Sequence, residues 1–229
     1  MECLICGKPL QYGTTEREMT CAYCGETFLS SASCADGHYI CDRCHAERGA
    51  ELILHHCRRS TSKNPIQIAQ ELMELPLVHM HGNEHHILVG AALLTAYRNA
   101  GGELELSTAL EEMHTRGSRY PGGSCGFWGC CGAAVSAGMF WSIVTGTTPL
   151  SGESWGLANR MTAGALEQIG ALGGPRCCKR NSFTALRAAA EFVKAHLGVA
   201  MELPGRIECR HSAENAQCLR RRCPYYPAR

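Results

Sequence analysis

Residues 120–152 read YPGGSCGFWGCCGAAVSAGMFWSIVTGTTPLSG, and this stretch, which carries no charged side chain, decides the fold of the chain. A run this long without a charge has to be buried, in protein or in lipid. Its first third is crowded with cysteines and glycines, at Cys125, Cys130, Cys131, Gly123, Gly126, Gly129 and Gly132. Small residues let the backbone and the thiolates approach a bound group closely. Our central hypothesis is that this group is a metal cluster.

A membrane span is the first alternative, because about 20 apolar residues cross a bilayer. The strictly apolar part of the stretch, roughly residues 133–144, is short, and no cluster of Lys or Arg flanks it. Glycines at every third position also suit close packing between helices. We therefore predict a buried core helix and expect no membrane partner.

The composition points to a globular protein with many thiols. The chain has 229 residues, of which 45% are hydrophobic and 19% charged, so it can bury a core. Its net charge of +1 gives no general argument for nucleic acid as a partner. The opening MECLICGKPL does not resemble a secretory signal, so we expect a cytoplasmic protein. In a reducing cytosol, the 16 cysteines favour metal ligands or reactive thiols over disulfides.

The first 45 residues contain two sets of metal-ligand spacings. The first set is C-x2-C…C-x2-C, formed by Cys3, Cys6, Cys21 and Cys24. The second is C-x3-H-x2-C-x2-C, formed by Cys34, His38, Cys41 and Cys44, with His45 as a substitute ligand. Four thiolate or imidazole ligands suit a tetrahedral zinc ion. We therefore predict two structural zinc ions in a small N-terminal module.

The pairing of these eight residues remains open at this point. A sequential arrangement puts one zinc ion on the first four ligands and one on the second four, and we favour it as the simpler. An interleaved arrangement, as in RING-type modules, uses the same residues. Because so short a segment buries little core, metal has to supply its folding energy. The module is either a structural clip or a docking site for a protein partner.

The rest of the chain shows helical patterns and no convincing alternating strand pattern from residue 64 to 200, so we predict a mainly α fold. Asn64 and Pro65 mark one helix start, and Ser107 or Thr108 and Asn181 or Ser182 are the expected caps of two others. The predicted divisions are a zinc module over 1–50, a linker over 51–63, a helical cysteine-rich domain over 64–200, and a cysteine-rich tail over 201–229 that packs on it.

The segment HMHGNEHH carries a possible acid–base or metal site. His81, Glu84 and His85 spell H-x-x-E-H, the order found in inverted zinc peptidases. Gly82 and Asn83 resemble a helix cap inside the motif, which breaks the shared helical face that the motif needs. In a second interpretation, one or two of these histidines line a pocket beside the cysteines and act as acid–base groups or metal ligands. In a third, the segment is simply a solvated helix start without a function.

The remaining cysteines give the candidate cluster ligands. Helix starts near Cys125–Cys131 and after Cys177–Cys178 favour thiolates and anions. Since vicinal cysteines do not easily bind one iron, we expect one of each pair to be a ligand and the other a reactive thiol. The candidate ligands are Cys125, Cys130, Cys177, Cys209, Cys218 and Cys223. The candidate catalytic residues are His81, Glu84, His85, Cys131 and Cys178. Pro224 after Cys223 is similar to the Cys-Pro ending of ferredoxin motifs, although the spacing differs.

Taken together, the pieces CxxCG…CxxCG, CADGHYICDRCH, HMHGNEHH, GGSCGFWGCCGA, GGPRCCKR and ECRHSAENAQC…CPYYP resemble an uncharacterised domain-of-unknown-function family found mainly in anaerobic bacteria and archaea. Members are sometimes fused to methyltransferase-like domains. The resemblance implies an anaerobic setting and no particular activity. Cys130-Cys131-Gly132 is also similar to the CCG motif of heterodisulfide-reductase-type subunits, but the CxxC pair that follows there is replaced here by Cys177-Cys178.

Three functions follow from these patterns. The first is an oxygen-sensitive iron–sulfur enzyme, in which a 4Fe-4S cluster with one open iron performs sulfur transfer or desulfidase/dehydratase chemistry. Its expected substrate is a small thiol or a hydroxy acid. The second is a non-catalytic zinc or metal-binding adaptor, or a metal or sulfur carrier. The third is the H-x-x-E-H zinc hydrolase.

Overall fold

A computed structural model describes residue 3 and residues 5–227 of the chain, with Ala46 described by its backbone alone. The described residues contain a two-stranded sheet and eight α-helices, which confirms the predicted mainly α class. Contacts divide the chain into two compact units, Met1–Arg48 and Gly49–Arg229.

The N-terminal unit is built on a β-hairpin that the sequence analysis did not predict. Strands β1 (Leu10–Thr20) and β2 (Thr27–Cys34) pair antiparallel, with an irregularity between Tyr12 and Arg17. Most of the side chains of β1 are exposed, so the hairpin lacks the alternating apolar face that identifies a strand in a sequence. Glycines at positive φ, Gly7 and Gly25, complete the turns that follow the first two CxxC pairs.

Helix α1 begins in the N-terminal unit and continues into the second. It spans Asp42–Arg59, so residues 51–59, where we expected a linker, are helical. Ile53, Leu54 and Cys57 on this helix are buried. The lone cysteine of the sequence is therefore a core residue of the second unit, and burial raises the pKa of its thiol to about 12.

Seven further helices form the second unit. They are α2 (Pro65–Met73), α3 (His85–Asn99), α4 (Leu106–Ser118), the single turn α5 (Ser124–Phe127), α6 (Gly132–Val144), α7 (Glu153–Leu172) and α8 (Cys178–Leu197). Helix α3 lies at the centre and packs against α2, α4, α6 and α8. Its residues are buried almost all round, as are Phe140 and Trp141 of α6 and Phe183 of α8. Each large apolar side chain buried in this way contributes about 2 kcal/mol.

The helix starts differ in detail from those predicted. Asn64 caps α2 as expected, and its side chain accepts hydrogen bonds from the backbone N–H groups of Ile66 and Gln67. Helix α4 is capped by Glu105, not by Ser107 or Thr108. Helix α8 starts earlier than predicted, with Cys177 as its cap. The long uncharged stretch forms α5 and α6, and α6 begins directly after Cys131.

The start of α6 is pressed against the start of α3. A β-carbon added at Gly132 would collide with the imidazole ring of His86. The His86 ring is held in place by its Nδ1, 3.1 Å from the carbonyl oxygen of Tyr120. Glycine at the first position of α6 therefore allows the two helix starts to meet, which is the close helix packing given above as the alternative role of these glycines.

The tail, residues 201–227, is irregular apart from one 3₁₀ turn, Arg220–Arg222. It is fastened to α8 by Tyr225, whose ring lies edge-on to Phe183 with a centroid distance of 5.5 Å. The Tyr225 hydroxyl shares a hydrogen bond of 2.9 Å with Thr184. The backbone N–H of Cys209 donates to the carbonyl oxygen of Tyr225 over 2.7 Å, which closes the tail on itself.

Candidate metal and thiol sites

The N-terminal unit brings its eight candidate ligands into two groups. One group is Cys3, Cys6, Cys34 and His38, and the other is Cys21, Cys24, Cys41 and Cys44. Within each group, all ligand atoms lie within 4.8 Å of one another. Each group can hold a metal ion such as zinc. Among the described residues, these are the only groups of three or more His, Cys, Asp or Glu that meet this condition.

The groups are interleaved, so the sequential arrangement that we favoured is not the one in the structure. Cys34 joins the first CxxC pair, with its Sγ 3.8 Å from that of Cys6. Cys41 joins the second pair, with its Sγ 3.8 Å from that of Cys24. The physical reason is the hairpin, since the antiparallel register places Cys34 opposite Leu10, directly beyond the first pair.

The spacing of these thiols suits one tetrahedral ion. A zinc–sulfur distance of about 2.3 Å implies about 3.8 Å between sulfurs at the corners of a tetrahedron. Backbone N–H groups also point at the sulfurs. Burial raises the pKa of Cys21, but backbone hydrogen bonds from Cys24, Cys41 and Tyr23 lower it to about 6. The turns thus favour the thiolate form that binds metal.

The second unit gathers eight of its nine cysteines around the start of α8. Three lie in the loop before α6, two are the vicinal pair at α8, and three lie in the tail: Cys125, Cys130, Cys131, Cys177, Cys178, Cys209, Cys218 and Cys223. All are free thiols. Their links to α8 are direct in three cases, one of which is Cys178, the first residue of the helix. Asn181 donates to Cys131 Sγ over 3.3 Å, and Cys177 itself caps the helix.

The vicinal cysteines face different neighbours. Cys177 lines a cavity with the tail cysteines. Burial raises the pKa of Cys178 to about 11, opposed by a backbone hydrogen bond from Gly82 and raised further by the nearby thiol of Cys131. Cys178 therefore lies near Cys131 and Gly82, and Cys177 lies on the side of the tail.

The HMHGNEHH segment forms a buried polar turn before α3. Glu84 is the residue preceding the helix and accepts a hydrogen bond of 2.7 Å from the backbone N–H of His79. Its Oε1 lies 3.3 Å from Nδ1 of His79 and 3.9 Å from Nδ1 of His85. Burial raises the pKa of Glu84, but hydrogen bonds from the side chain of His79 and from the backbone lower it to about 2.

The two histidines of the H-x-x-E-H motif are not on one helical face. His85 is the first residue of α3, whereas His81 precedes the helix. The hydrolase hypothesis needs both on one face, and the described part of the segment forms no close group of metal ligands. His85 is buried, its Nδ1 lies 3.2 Å from the carbonyl oxygen of Gly82, and its Nε2 has no hydrogen-bond partner. Burial lowers its pKa to about 3.

Three polar residues of the site were missed by the sequence analysis. Lys179 is fully buried, and its Nζ donates to the carbonyl oxygen of Val78 over 3.2 Å. Burial lowers the pKa of Lys179 to about 8. Asn181 and Asn215 are buried and donate to cysteine sulfurs. The polar letters KRN directly after the vicinal cysteines were a signal for the first two, whereas Asn215 carries no local signal.

The tail cysteines and Cys177 line one small cavity of about 20 Å³. Arg180, His211, Asn215 and the aromatic rings of Tyr225 and Tyr226 contribute to the same wall. Arg180 is buried, and its guanidinium donates to the carbonyl oxygens of Gly173 and Pro175 over 2.8 and 2.9 Å. Cys125, Cys130 and Cys131 do not line this cavity, so the structure separates the candidate cluster ligands into two sets.

Residues 53–226 match the family DUF5714, which is described as a family of unknown function. The chain belongs to the DUF5714 family. The matched range covers the helical unit with its thiols and most of the tail, and it leaves out the two metal-ligand groups. In comparisons with curated proteins and with solved structures, nothing matched. Membership of DUF5714 thus identifies the relatives and carries no activity with it.

None of the helices in the described ranges combines the length and the apolar character needed to cross a bilayer. Helix α6, the most apolar part of the uncharged stretch, has 13 residues.

Proposed function

We propose that this DUF5714 protein is an oxygen-sensitive iron–sulfur protein of sulfur chemistry, whose N-terminal unit is held by two structural zinc ions. The observation that carries the proposal is a set of eight free thiols in the loop before α6, at the start of α8 and in the tail, none of them in a disulfide. Burial disfavours the thiolate form of several of them and raises the pKa of Cys131, Cys178, Cys209 and Cys223, whereas a bound metal stabilises the thiolate. Iron–sulfur clusters are held by cysteine thiolates, so a cluster relieves this cost.

Zinc is the metal that best suits the N-terminal groups. Cys₄ and Cys₃His sets are the usual ligands of structural zinc, and the 3.8 Å separations agree with a tetrahedral zinc ion. The unit buries few large apolar side chains, so metal is its main source of folding free energy. A docking role for this unit toward a protein partner is part of the proposal.

The chemistry of the helical unit falls to the residues on the Cys178 side. A bound cluster supplies either a Lewis acid at an open iron or one-electron transfer, depending on how many thiolates it has. Cys131 and Cys178 are the candidate reacting thiols for a small thiol or hydroxy-acid substrate. The neutral His85 ring donates from Nδ1 to Gly82, which leaves Nε2 as the atom that accepts a proton. His81 is the second candidate proton carrier, and Glu84 orients His79 and His85.

A non-catalytic adaptor or metal carrier is the second candidate. It is favoured by one observation, that the close metal-ligand groups of the described residues all lie in the N-terminal unit. In that case the helical unit stores or delivers metal or sulfur and turns nothing over. Both candidates place the protein in the reducing cytoplasm, where its thiols stay free.

The test is the metal and sulfide content of the full chain, purified and handled without oxygen. The iron–sulfur proposal expects about two zinc ions and about four iron atoms with matching sulfide, and a broad absorption near 400 nm that bleaches in air. A colourless protein with zinc alone, even after anaerobic reconstitution with iron and sulfide, would leave the adaptor as the function. Turnover then separates enzyme from carrier, since Cys178→Ser should abolish a reaction of the enzyme and leave the iron in place.

A further inference from the structure

The cavity between α8 and the tail is lined by four cysteines that come from two distant parts of the sequence. Cys177 is supplied by the start of α8, and Cys209, Cys218 and Cys223 are supplied by the tail. Tyr225 anchors the tail to α8 through Phe183 and Thr184, so the four thiols are held by packed structure and not by a mobile end. A four-thiol lining is the ligand set that a cubane iron–sulfur cluster requires.

Each of the four sulfurs receives an N–H donor from the protein. In the tail, the donor is the backbone N–H two residues further along the chain: His211 for Cys209, Arg220 for Cys218 and Tyr225 for Cys223. The same i to i+2 turn is found at the metal groups of the N-terminal unit, where Ile5 donates to Cys3 and Lys8 to Cys6. The tail cysteines thus share this turn with the N-terminal ligand groups, as does Cys131 with Ala133.

The turn at Cys218 comes at a conformational cost. Arg220 has φ of 52°, in the left-handed region that residues with a β-carbon rarely adopt, and it is the only such residue in the described part of the chain. This conformation accompanies a hydrogen bond of 3.3 Å from the Arg220 N–H to Cys218 Sγ. The backbone of Arg220 thus holds an N–H donor toward the Cys218 sulfur.

The sulfur of Cys177 has two hydrogen-bond donors, and the orientation of one of them, the Asn215 side chain, is fixed by a further hydrogen bond. The backbone N–H of Arg180 lies 3.5 Å from Cys177 Sγ, and Nδ2 of Asn215 lies 3.6 Å from it. Oδ1 of Asn215 accepts the backbone N–H of Gln217 over 3.0 Å, so the amide can turn only its NH₂ group toward the sulfur. The orientation of Asn215 therefore makes it a donor to Cys177 and not an acceptor.

The four thiols are too far apart to act together as the ligands of one small metal ion. No three of them lie within 4.8 Å of one another, although the N-terminal ligand atoms in the described chain do. A cluster places several iron and sulfide atoms between its thiolates and so needs a wider spacing than a single ion does. The buried guanidinium of Arg180 in the wall suits the net negative charge of a thiolate-bound cluster.

We infer that Cys177, Cys209, Cys218 and Cys223 form a closed four-thiolate site for a 4Fe-4S cluster, and that Asn215 is a positioning residue that donates to the cluster ligand Cys177. The inference rests on the proposed iron–sulfur function and narrows it. Four thiolates occupy all four irons and leave no open iron for a substrate. Cys125, Cys130, Cys131 and Cys178 are then thiols outside the cluster, and bond chemistry belongs to them.

The experiment compares two sets of variants in the full chain, reconstituted without oxygen. The pocket set is Cys209→Ser and Cys223→Ser, and the matched control set is Cys125→Ser and Cys130→Ser. We expect the pocket variants to lose most of the iron and the absorption near 400 nm, and the control variants to retain both. Zinc content and circular dichroism, measured in parallel, show that each variant is folded.

The opposite pattern, iron lost from the control set and kept by the pocket set, overturns the inference while the iron–sulfur proposal stands. Wild-type protein without iron overturns both. A third zinc ion bound in the pocket in place of iron would overturn the proposed iron–sulfur cluster and support only the conclusion that the pocket binds metal.

A second variant covers the case in which the pocket variants fail to fold. Asn215→Asp keeps the acceptor for Gln217 and replaces the NH₂ donor by a negatively charged oxygen beside Cys177. We expect the reduction potential of the cluster to shift to more negative values, because a reduced cluster carries more negative charge. Asn181→Asp makes the same change beside Cys131, and we expect it to shift the potential by less than half as much. Equal shifts in the two variants, or none in Asn215→Asp, would falsify the role of Asn215.

Discussion

At the scale of single residues, the most unusual group is the buried pair Glu84 and His85. The pair stands at the start of the central helix, away from solvent, and each side chain is held in its neutral-pH form by its surroundings. Glu84 keeps its charge because His79 and the backbone around it donate hydrogen bonds. His85 stays neutral because it is buried and lies near the charge of Lys179. Lowering the pH therefore protonates both side chains, Glu84 and His85, against the preference of the folded protein.

The stability of the helical unit should fall in two steps as pH falls. The unfolded chain protonates His85 below its ordinary pKa near 6.5, whereas the folded chain does so only near 3, so stability is lost as pH falls below 6.5. The contribution of Glu84 is present above its ordinary pKa of 4.5 and is lost as pH falls toward 2. Urea unfolding followed at 222 nm from pH 7 to pH 3 measures both.

Glu84→Gln separates the two steps. At pH 7 the variant should be less stable by on the order of 2 kcal/mol, since it lacks the hydrogen-bonded carboxylate. It should retain the loss between pH 6.5 and 4.5, which belongs to His85, and lack the loss below 4.5. A wild-type protein whose unfolding free energy is constant between pH 7 and pH 4 contradicts this account.

At the scale of elements, the hairpin β1–β2 determines which cysteines meet. It carries Cys34 back to the first CxxC pair and leaves Cys41 and Cys44 for the second. Double variants distinguish this pairing from the sequential one. Cys3→Ala with Cys34→Ala damages one site in the interleaved arrangement and should remove one zinc ion. Cys3→Ala with Cys21→Ala damages both sites and should remove two.

Zinc analysis after exchange against a mild chelator gives the answer, with Cys57→Ala as a control for the loss of a cysteine that binds nothing. The sequential arrangement predicts the reverse result for the two double variants. A loss of both ions in every variant would mean that the two sites fold as one cooperative unit. In that case cobalt(II) is substituted for zinc, and its absorption in the His38→Ala variant shows whether a change at one site also alters the other.

Elements also show what the sequence could and could not predict. The helices of the second unit follow from apolar spacing and from caps such as Asn64, because helix signals are local. The hairpin was missed because most of its β1 side chains are exposed and give no alternating pattern. The eight N-terminal ligands could be named from spacing, but their pairing could not, because it depends on a hairpin register.

At the scale of the whole molecule, the two units are stabilised by different means. Residues up to Arg48 bury few large apolar side chains and contain two groups of residues that could hold metal ions, whereas the rest has a continuous apolar core around α3. The same contrast explains the limit of the sequence analysis at the thiol site. Cys177 and the tail cysteines are separated by more than 30 positions, so only the packing of Tyr225 on α8 could reveal that they share a cavity.

Chelation should therefore act on one unit alone. We expect two transitions in scanning calorimetry of zinc-loaded protein, and a strong chelator should abolish or lower the first while the transition of the helical unit stays within a few degrees. The helical signal at 222 nm, measured on the same samples, identifies the second transition. A chelator that lowers both transitions equally would show that the helical core also depends on zinc.

The interleaved ligands have a consequence for synthesis on the ribosome. A sequential arrangement could close its first site as soon as residue 24 had emerged, whereas here the first site waits for His38 and the second for Cys44. Until then the two CxxC pairs of the nascent chain are exposed, so that their thiolates can bind other thiophilic ions or react with oxidants. Both sites then close within a few residues of each other, just as α1 begins to form.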